Sequence, residues 1–103
     1  LTLSYRTMPA ATALQWLPAW LTAGGEIPMM FSRSQAIHAR CCVPLQDTPS
    51  VRFTYEANVR TPGHRLALMS ANNDPAAPRT GAYRFEVPHP IPSYLPAIAV
   101  GNF

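Results

Sequence analysis

Twelve prolines are spread through this sequence of 103 residues, and they limit what it can fold into. Proline interrupts a helix because it lacks the backbone N–H and clashes with the preceding turn. The prolines form no repeat, which is typical of loops and strand ends rather than of a polyproline tract. The sequence therefore predicts one all-β domain with little or no helix, built from roughly six to eight short strands in antiparallel or mixed sheets.

The clearest strand is predicted at residues 51–60, where apolar and polar residues alternate. The apolar positions are Val51, Phe53, Tyr55, Ala57 and Val59. Such alternation is typical of an antiparallel strand with one face in solvent. Pro62 and Gly63 suit the central positions of a type II turn. Residues 65–70 are therefore predicted to return beside the first strand, giving a hairpin over residues 51–70.

Shorter patterns predict the other elements. Strands are predicted at residues 1–7, 27–31, 82–87 and 94–100. The last of them is expected to be buried on both faces or covered by a missing neighbour. The prolines at 88, 90 and 92 are expected to form an extended connector. Trp16 and Trp20 flank Pro18, so a short strand or turn with both indoles packed inward is expected there. The sequence begins at Leu1 and ends at Phe103, directly after a predicted strand, and we expect it to be a piece of a longer protein.

The charge pattern argues against two classes of partner. The net charge is +3, and all eight basic residues are arginines spread along the sequence. Arg52 and Arg60 share one face of the predicted strand, but Glu56 lies between them. Nucleic-acid binding would need a basic stripe or patch, and a membrane span would need a long apolar run. We therefore expect neither a nucleic acid nor a membrane as partner.

The cysteines and histidines give weak signals for chemistry. Cys41 and Cys42 are adjacent, a spacing that ordinary disulfide geometry disfavours, and this fits a reducing, cytoplasmic compartment. No His-Glu-x-x-His occurs, and His38 with the two cysteines lacks a distant fourth metal ligand. A Cys–His nucleophile pair would need an orienting third group, and no residue in the sequence identifies one. We predict no catalytic and no metal-binding residue in this chain.

The stretch from Ser32 to Ser50 is the most distinctive. It separates an apolar run from the clearest strand, and it is too apolar to be disordered. Two motifs cover this stretch and extend one residue beyond each of its ends. The first is Phe31-Ser32-x-x-Gln35-Ala36-Ile37-His38-x-Arg40, and the second is Pro44-x-Gln46-Asp47-Thr48-Pro49-Ser50-Val51. These motifs closely resemble the N-terminal domain of the leukotriene A4 hydrolase family of zinc aminopeptidases, in a bacterial relative.

Collinear motifs extend this resemblance over essentially the whole chain. They are Ser4-Tyr5-x-Thr7, Ala13-Leu14-Gln15-Trp16-Leu17, Thr22-Ala23-Gly24, Leu66-x-Leu68-Met69-Ser70-Ala71, Val87-Pro88, Ile91-Pro92-x-Tyr94-Leu95 and Val100-Gly101. The resemblance implies a saddle-like β domain, with residues 1–103 forming the C-terminal part of the aminopeptidase N-terminal domain. The catalytic and helical domains, and the ligands of the parent's zinc, would lie outside this chain, so the fragment alone is expected to be inactive.

The resemblance also implies a share of the substrate cleft. The family's Gln-x-Gln-Ala loop lines the pocket for the first residue and amino terminus of a peptide, and Arg33, Ser34, Gln35 and Ala36 occupy that position here. The Gln35 carbonyl could accept a hydrogen bond from the substrate ammonium. Ala36 would leave room for the first side chain. Arg33 departs from the family's glutamine, and a cation there would repel an ammonium.

Other residues of the stretch are expected to support this loop. Arg40 and Asp47 are predicted to pair and brace it, and His38 is expected to be a structural hydrogen-bonding residue. The resemblance leaves open whether the parent also hydrolyses an epoxide. An alternative function is a non-catalytic β interaction module. Gly-x-Met-Glu-Asn and His-Glu-x-x-His motifs downstream in the gene would favour the enzyme, and their absence would favour the module.

Overall fold

The computed structural model describes residues 2–8, 10–35, 37–63, 65–73, 76 and 78–103. The regular structure of these residues is almost entirely β, which confirms the predicted fold class. The six strands are β1 (Leu14–Leu17), β2 (Met29–Ser32), β3 (Arg52–Arg60), β4 (Leu66–Met69), β5 (Ala82–Pro92) and β6 (Ile98–Gly101). Two single 3₁₀ turns lie at Ala19–Leu21 and Ala39–Cys41.

The strands form two antiparallel sheets. The first sheet has the order β1-β2-β6-β4, and the second sheet pairs β3 with β5. The alternation predicted for β3 is confirmed, because its apolar side chains are half-buried while its polar ones are exposed. Two sheets that each hide one face must pack on one another or on a further layer.

The core lies where β4 of the first sheet meets β5 of the second. Its buried members are Ala67, Tyr83 and Phe85. Half-buried residues from both sheets pack around them, namely Ala57, Val59, Leu66, Met69, Ala71 and Val100. Burial of this apolar surface is the main favourable term that joins the two sheets.

Two tyrosines of the second sheet fix the position of β4. The Tyr83 hydroxyl donates a hydrogen bond to the Arg65 carbonyl at 2.9 Å, and the Tyr55 hydroxyl donates one to the Ser70 carbonyl at 3.0 Å. Arg65 and Ser70 lie immediately before and after β4. Because each phenol reaches one end of the strand, the two sheets are held in one register as well as in contact.

The hairpin predicted over residues 51–70 is wrong. β3 pairs with β5, whereas β4 pairs with β6 in the other sheet. The predicted turn is partly present, since Gly63 has a φ of 59°, but His64 lies outside the described residues. β4 has four residues against nine in β3, and it is half-buried or buried throughout. It therefore packs across β3 and β5, while the longer β5 supplies a full-length partner for β3.

The prolines after Val87 belong to β5 and do not form the predicted connector. Phe53 pairs with Ile91 and Tyr55 pairs with Val87, so β5 has two more residues than β3 between these pairs. Pro88 and Pro90 lie in this bulge, where their missing N–H groups cost no ladder hydrogen bond. The bulge explains how a proline-rich segment remains a strand.

Three other predictions need correction. Among residues 2–7 no strand forms, because no described strand pairs with this segment. Residues 94–97 precede β6 as a turn, so the last predicted strand is only Ile98–Gly101. The two indoles do not pack inward: Trp16 is 56% exposed and Trp20 is 75% exposed. β1, which contains Trp16, is an edge strand of the first sheet.

Candidate functional site

The loop between β2 and β3 contains every residue predicted to touch substrate. Its beginning is fixed to β1, because the Arg33 amide donates a hydrogen bond to the Ala13 carbonyl at 2.7 Å. The His38 amide then donates to the Ser34 carbonyl at 2.9 Å. The second bond closes a turn that contains Gln35, and the first bond fixes the residue just before this turn.

The predicted substrate-facing residues differ in accessibility. The side chains of Arg33 and Gln35 are exposed, whereas Ser34 is buried. Ala36 lies outside the described residues, so its prediction is not addressed by the structure. Among the described residues, the Gln35 side chain makes no hydrogen bond. Its amide is therefore available to a ligand, and Ser34 supports the turn through its carbonyl, which accepts from the His38 amide.

Asp47 connects the far end of the loop to the rest of the fold. Its Oδ2 accepts hydrogen bonds from the Arg40 amide at 3.0 Å and from Arg40 Nε at 3.2 Å. Its Oδ1 accepts one from the Ser93 hydroxyl at 2.5 Å, and its carbonyl accepts one from Arg40 Nη2 at 2.9 Å. The predicted pairing of Arg40 with Asp47 is confirmed. Ser93, directly after β5, is fully buried, and nothing in the sequence indicated its part.

The charge of Asp47 is stabilised despite its burial. Burial by itself would raise the pKa of this carboxyl group. The hydrogen bond from Ser93, the bond from the Arg40 amide and the guanidinium of Arg40 act in the opposite direction, and the net result is a pKa below the ordinary value. The ionised carboxylate is therefore the form that holds the loop at neutral pH.

This network makes the stability of the fold depend on acidity. The folded-state pKa of Asp47 is lower than its ordinary value of 3.8, so its contribution is fully present above that value and is lost as pH falls through the folded-state pKa. The free energy of unfolding of wild type and of Asp47→Asn can be measured with urea at about pH 7 and at about pH 3. The difference between the two proteins should be smaller at about pH 3. A difference independent of pH would contradict this role of the charge.

A second polar cluster lies beside the loop. Thr12 Oγ1 is 3.3 Å from His38 Nδ1 and 3.1 Å from Cys41 Sγ. His38 therefore has the structural hydrogen bond expected of it. Thr12 is 29 residues from Cys41 in sequence, and no motif pointed to it. Both cysteines are free and half-buried, and burial, together with Cys41 and Asp47, raises the pKa of Cys42.

The described residues contain neither a cluster of metal-ligating side chains nor a membrane-spanning helix. No group of three or more His, Cys, Asp or Glu side chains comes together among them. None of the helical segments in the described ranges is long and apolar enough to cross a bilayer. What the loop presents is an exposed amide and a guanidinium on a braced turn, an arrangement that can bind polar groups.

Comparison with known proteins identifies close relatives. The sequence pattern of the peptidase M1 N-terminal domain matches residues 2–95. Leukotriene A-4 hydrolase of Xenopus laevis is 47% identical over 100 residues, covering 92% of this chain and 16% of that protein. Leucine aminopeptidase 2 of Pyricularia oryzae is 43% identical over 105 residues, covering 99% of this chain and 17% of that protein.

A solved structure agrees with the sequence relatives. Native leukotriene A4 hydrolase from Saccharomyces cerevisiae superimposes on 92% of this chain with a TM-score of 0.80 and 43% sequence identity. The match covers 14% of that chain. The sequence thus spans only a small part of the length of the relatives it matches.

Proposed function

The chain belongs to the peptidase M1 N-terminal domain family, and from this premise we propose that it forms the C-terminal part of the N-terminal domain of a zinc-dependent aminopeptidase. In this proposal the parent removes residues from the amino terminus of peptides, and this chain contributes one wall of the cleft. The exposed, unbonded amide of Gln35 on a braced turn carries the proposal.

Gln35 is proposed to bind the substrate amino terminus. A peptide ammonium has three donors and no acceptor, so a side-chain carbonyl is a suitable partner for one of them. The turn that holds Gln35 is fixed at both ends, by Arg33 and by His38. A fixed backbone means that binding has to order only the Gln35 side chain, which lowers the entropic cost of the contact.

Ala36, Arg33 and Ser34 have different proposed roles. Ala36 leaves space for the first side chain of the peptide. Arg33 is exposed. Because its guanidinium would repel an ammonium, we propose that it donates a hydrogen bond to a backbone carbonyl of the substrate instead. Ser34 is buried, so its contribution is made through the backbone of the turn.

Zinc is proposed for the parent alone. The described residues do not fit the ion, since no three potential ligands are grouped among them. The metal would therefore be held by the catalytic domain, and no step assigned to Gln35 or Arg33 uses it. The free thiols support a reducing, cytoplasmic compartment.

The exposed apolar side chains support a protein partner. Large exposed residues among those described include Leu3, Tyr5, Met8, Trp16, Trp20, Leu21, Ile37, Val43, Leu95 and Phe103. We propose that the parent's own catalytic domain covers part of this surface. The same observation would suit a non-catalytic β interaction module. Translation of the gene beyond Phe103 distinguishes them, since a missing His-Glu-x-x-His would exclude the proposed peptidase.

Replacing Gln35 tests the proposed contact in the full-length parent enzyme. Gln35→Ala should lower kcat/KM for amino-acid anilide substrates by roughly tenfold to a hundredfold, because a hydrogen bond to a charged group contributes about 1.5–3 kcal/mol. Gln46→Ala is the matched control, since Gln46 is an exposed glutamine of the same loop. Equal kcat/KM values for the Gln35 variant and wild type would refute the contact.

A further inference from the structure

Cys41, Thr12 and His38 form a continuous hydrogen-bonded chain. The Thr12 hydroxyl lies 3.1 Å from Cys41 Sγ and 3.3 Å from His38 Nδ1. A hydroxyl donates one hydrogen bond and accepts others. One consistent arrangement therefore has the thiol donating to Thr12 and Thr12 donating to Nδ1 of a neutral imidazole. This arrangement connects a nucleophile to a base through one side chain.

The thiol lies in a groove that could hold a small molecule. The groove has a volume of about 580 Å³ and is lined by residues 3–8, 10–11 and 40–44. Leu3, Met8 and Val43 line it together with Arg6 and Arg40, and most of its lining surface is apolar. An apolar body with a carbonyl or carboxylate group matches this lining.

We infer that Cys41 is a covalent modification site for soft electrophiles, specifically α,β-unsaturated carbonyl compounds, with Thr12 relaying the thiol proton to His38. Activation of a thiol by a base within hydrogen-bonding reach is a general arrangement for cysteine nucleophiles. This inference concerns different side chains from the proposed Gln35 contact and does not depend on it.

The reaction is balanced without a further reagent. The thiol proton passes to Thr12 as the Thr12 proton passes to His38. The Cys41 sulfur then attacks the β carbon, an S–C bond forms, and the π electron pair of the C=C bond moves to the α carbon as an enolate. The imidazolium returns its proton, through water, to the α carbon. The product is a thioether, and neither an oxidant nor a leaving group is involved.

Cys42 is an internal control within the same molecule. Its thiol donates to the Ala39 carbonyl at 3.4 Å and has no imidazole partner. Burial and its neighbours Cys41 and Asp47 raise the pKa of the Cys42 thiol, so it stays protonated at neutral pH and reacts slowly. Adjacent cysteines with different surroundings allow reactivity to be compared in a single sample.

N-ethylmaleimide tests the assignment in the 103-residue chain. After brief labelling at about pH 7, trypsin releases residues 41–52, and fragment ions of this peptide separate the two cysteines. Cys41 should be labelled about tenfold faster than Cys42 in the folded chain, and the two rates should converge in denaturing urea. Equal rates in the folded chain, or faster labelling of Cys42, would overturn the inference without any variant.

Two variants test the relay itself. Thr12→Val removes the hydroxyl at nearly constant shape and should slow Cys41 labelling about tenfold, whereas Thr12→Ser keeps the hydroxyl and should retain the wild-type rate. His38→Gln should slow Cys41 as Thr12→Val does. An unchanged Cys41 rate in Thr12→Val, with the Cys42 rate also unchanged as a sign of intact folding, would exclude the relay. Slow labelling in Thr12→Ser would also exclude it.

Discussion

Asp47→Asn is expected to lower the free energy of unfolding by about 2–3 kcal/mol, which corresponds to a fall in Tm of roughly 10 °C for a domain of this size. The variant keeps the shape of the side chain but loses its charge. In addition, one oxygen that accepts from Arg40 or Ser93 becomes an amide donor, so at least one of these hydrogen bonds must be lost or reversed. Because Asp47 is buried, water cannot compensate for the loss.

Most of this effect should come from the buried bonds. The Arg40 side chain is 54% exposed, and ion pairs with solvent-exposed partners contribute little. Glu56→Gln is the matched control, since Glu56 is an exposed carboxylate that pairs with Arg84 at 3.5 Å. We expect it to change the free energy of unfolding by less than about 0.5 kcal/mol. Equal effects of the two variants in urea unfolding would contradict the bracing role of Asp47.

Gly81→Ala is expected to be at least as damaging, with a loss of about 2–4 kcal/mol. Gly81 directly precedes β5 and has a φ of 84°, a conformation that residues with a side chain rarely adopt. A Cβ atom there would lie 2.8 Å from the Thr61 carbonyl oxygen and 3.1 Å from that of Gly63. Moving away would break the hydrogen bond from the Thr61 amide to the Gly81 carbonyl, which begins the pairing of β3 with β5.

A second glycine separates the two causes of this loss. Gly24 has a φ of 83°, but a Cβ there would meet no atom within 4 Å. Gly24→Ala should therefore show only the backbone cost, about 1–2 kcal/mol. The difference between the two variants, measured by urea unfolding, reports the crowding at Gly81. Equal losses of unfolding free energy in the two variants would contradict this, because they would mean that the Thr61 and Gly63 carbonyls move away from the new Cβ atom without destabilising the fold.

Local patterns in the sequence predicted local structure well. The period-two alternation identified β3 nearly to the residue, because a strand with one wet face follows directly from side-chain alternation. Opposite charges seven residues apart in one loop predicted the Arg40–Asp47 pair. Gly63 takes the positive φ that the Pro-Gly turn requires. Each of these depends on residues close together in the chain.

Non-local pairings could not be predicted in the same way. β3 takes β5 as its partner rather than β4, since the choice depends on strand length and on which side chains fill the space between the sheets. Ser93 joins Asp47 across 46 residues, and Thr12 joins Cys41 across 29. The residues around Thr12 and Ser93 in the sequence form no motif that would identify these distant hydrogen-bond partners. The assignment of Gln35 came from family resemblance, because one exposed glutamine has no distinguishing chemistry.

The position of β6 in the first sheet has a consequence for synthesis. β6 lies between β2 and β4, although it follows both in the sequence. Until residues 98–101 leave the ribosome, β4 has no strand partner among the described residues and β2 pairs only with β1. Strand edges left unpaired during elongation are sites of mispairing and aggregation. The first sheet can therefore be completed only after residues 98–101 have been synthesised. A chain truncated before Ile98 would leave two open edges, one on β2 and one on β4.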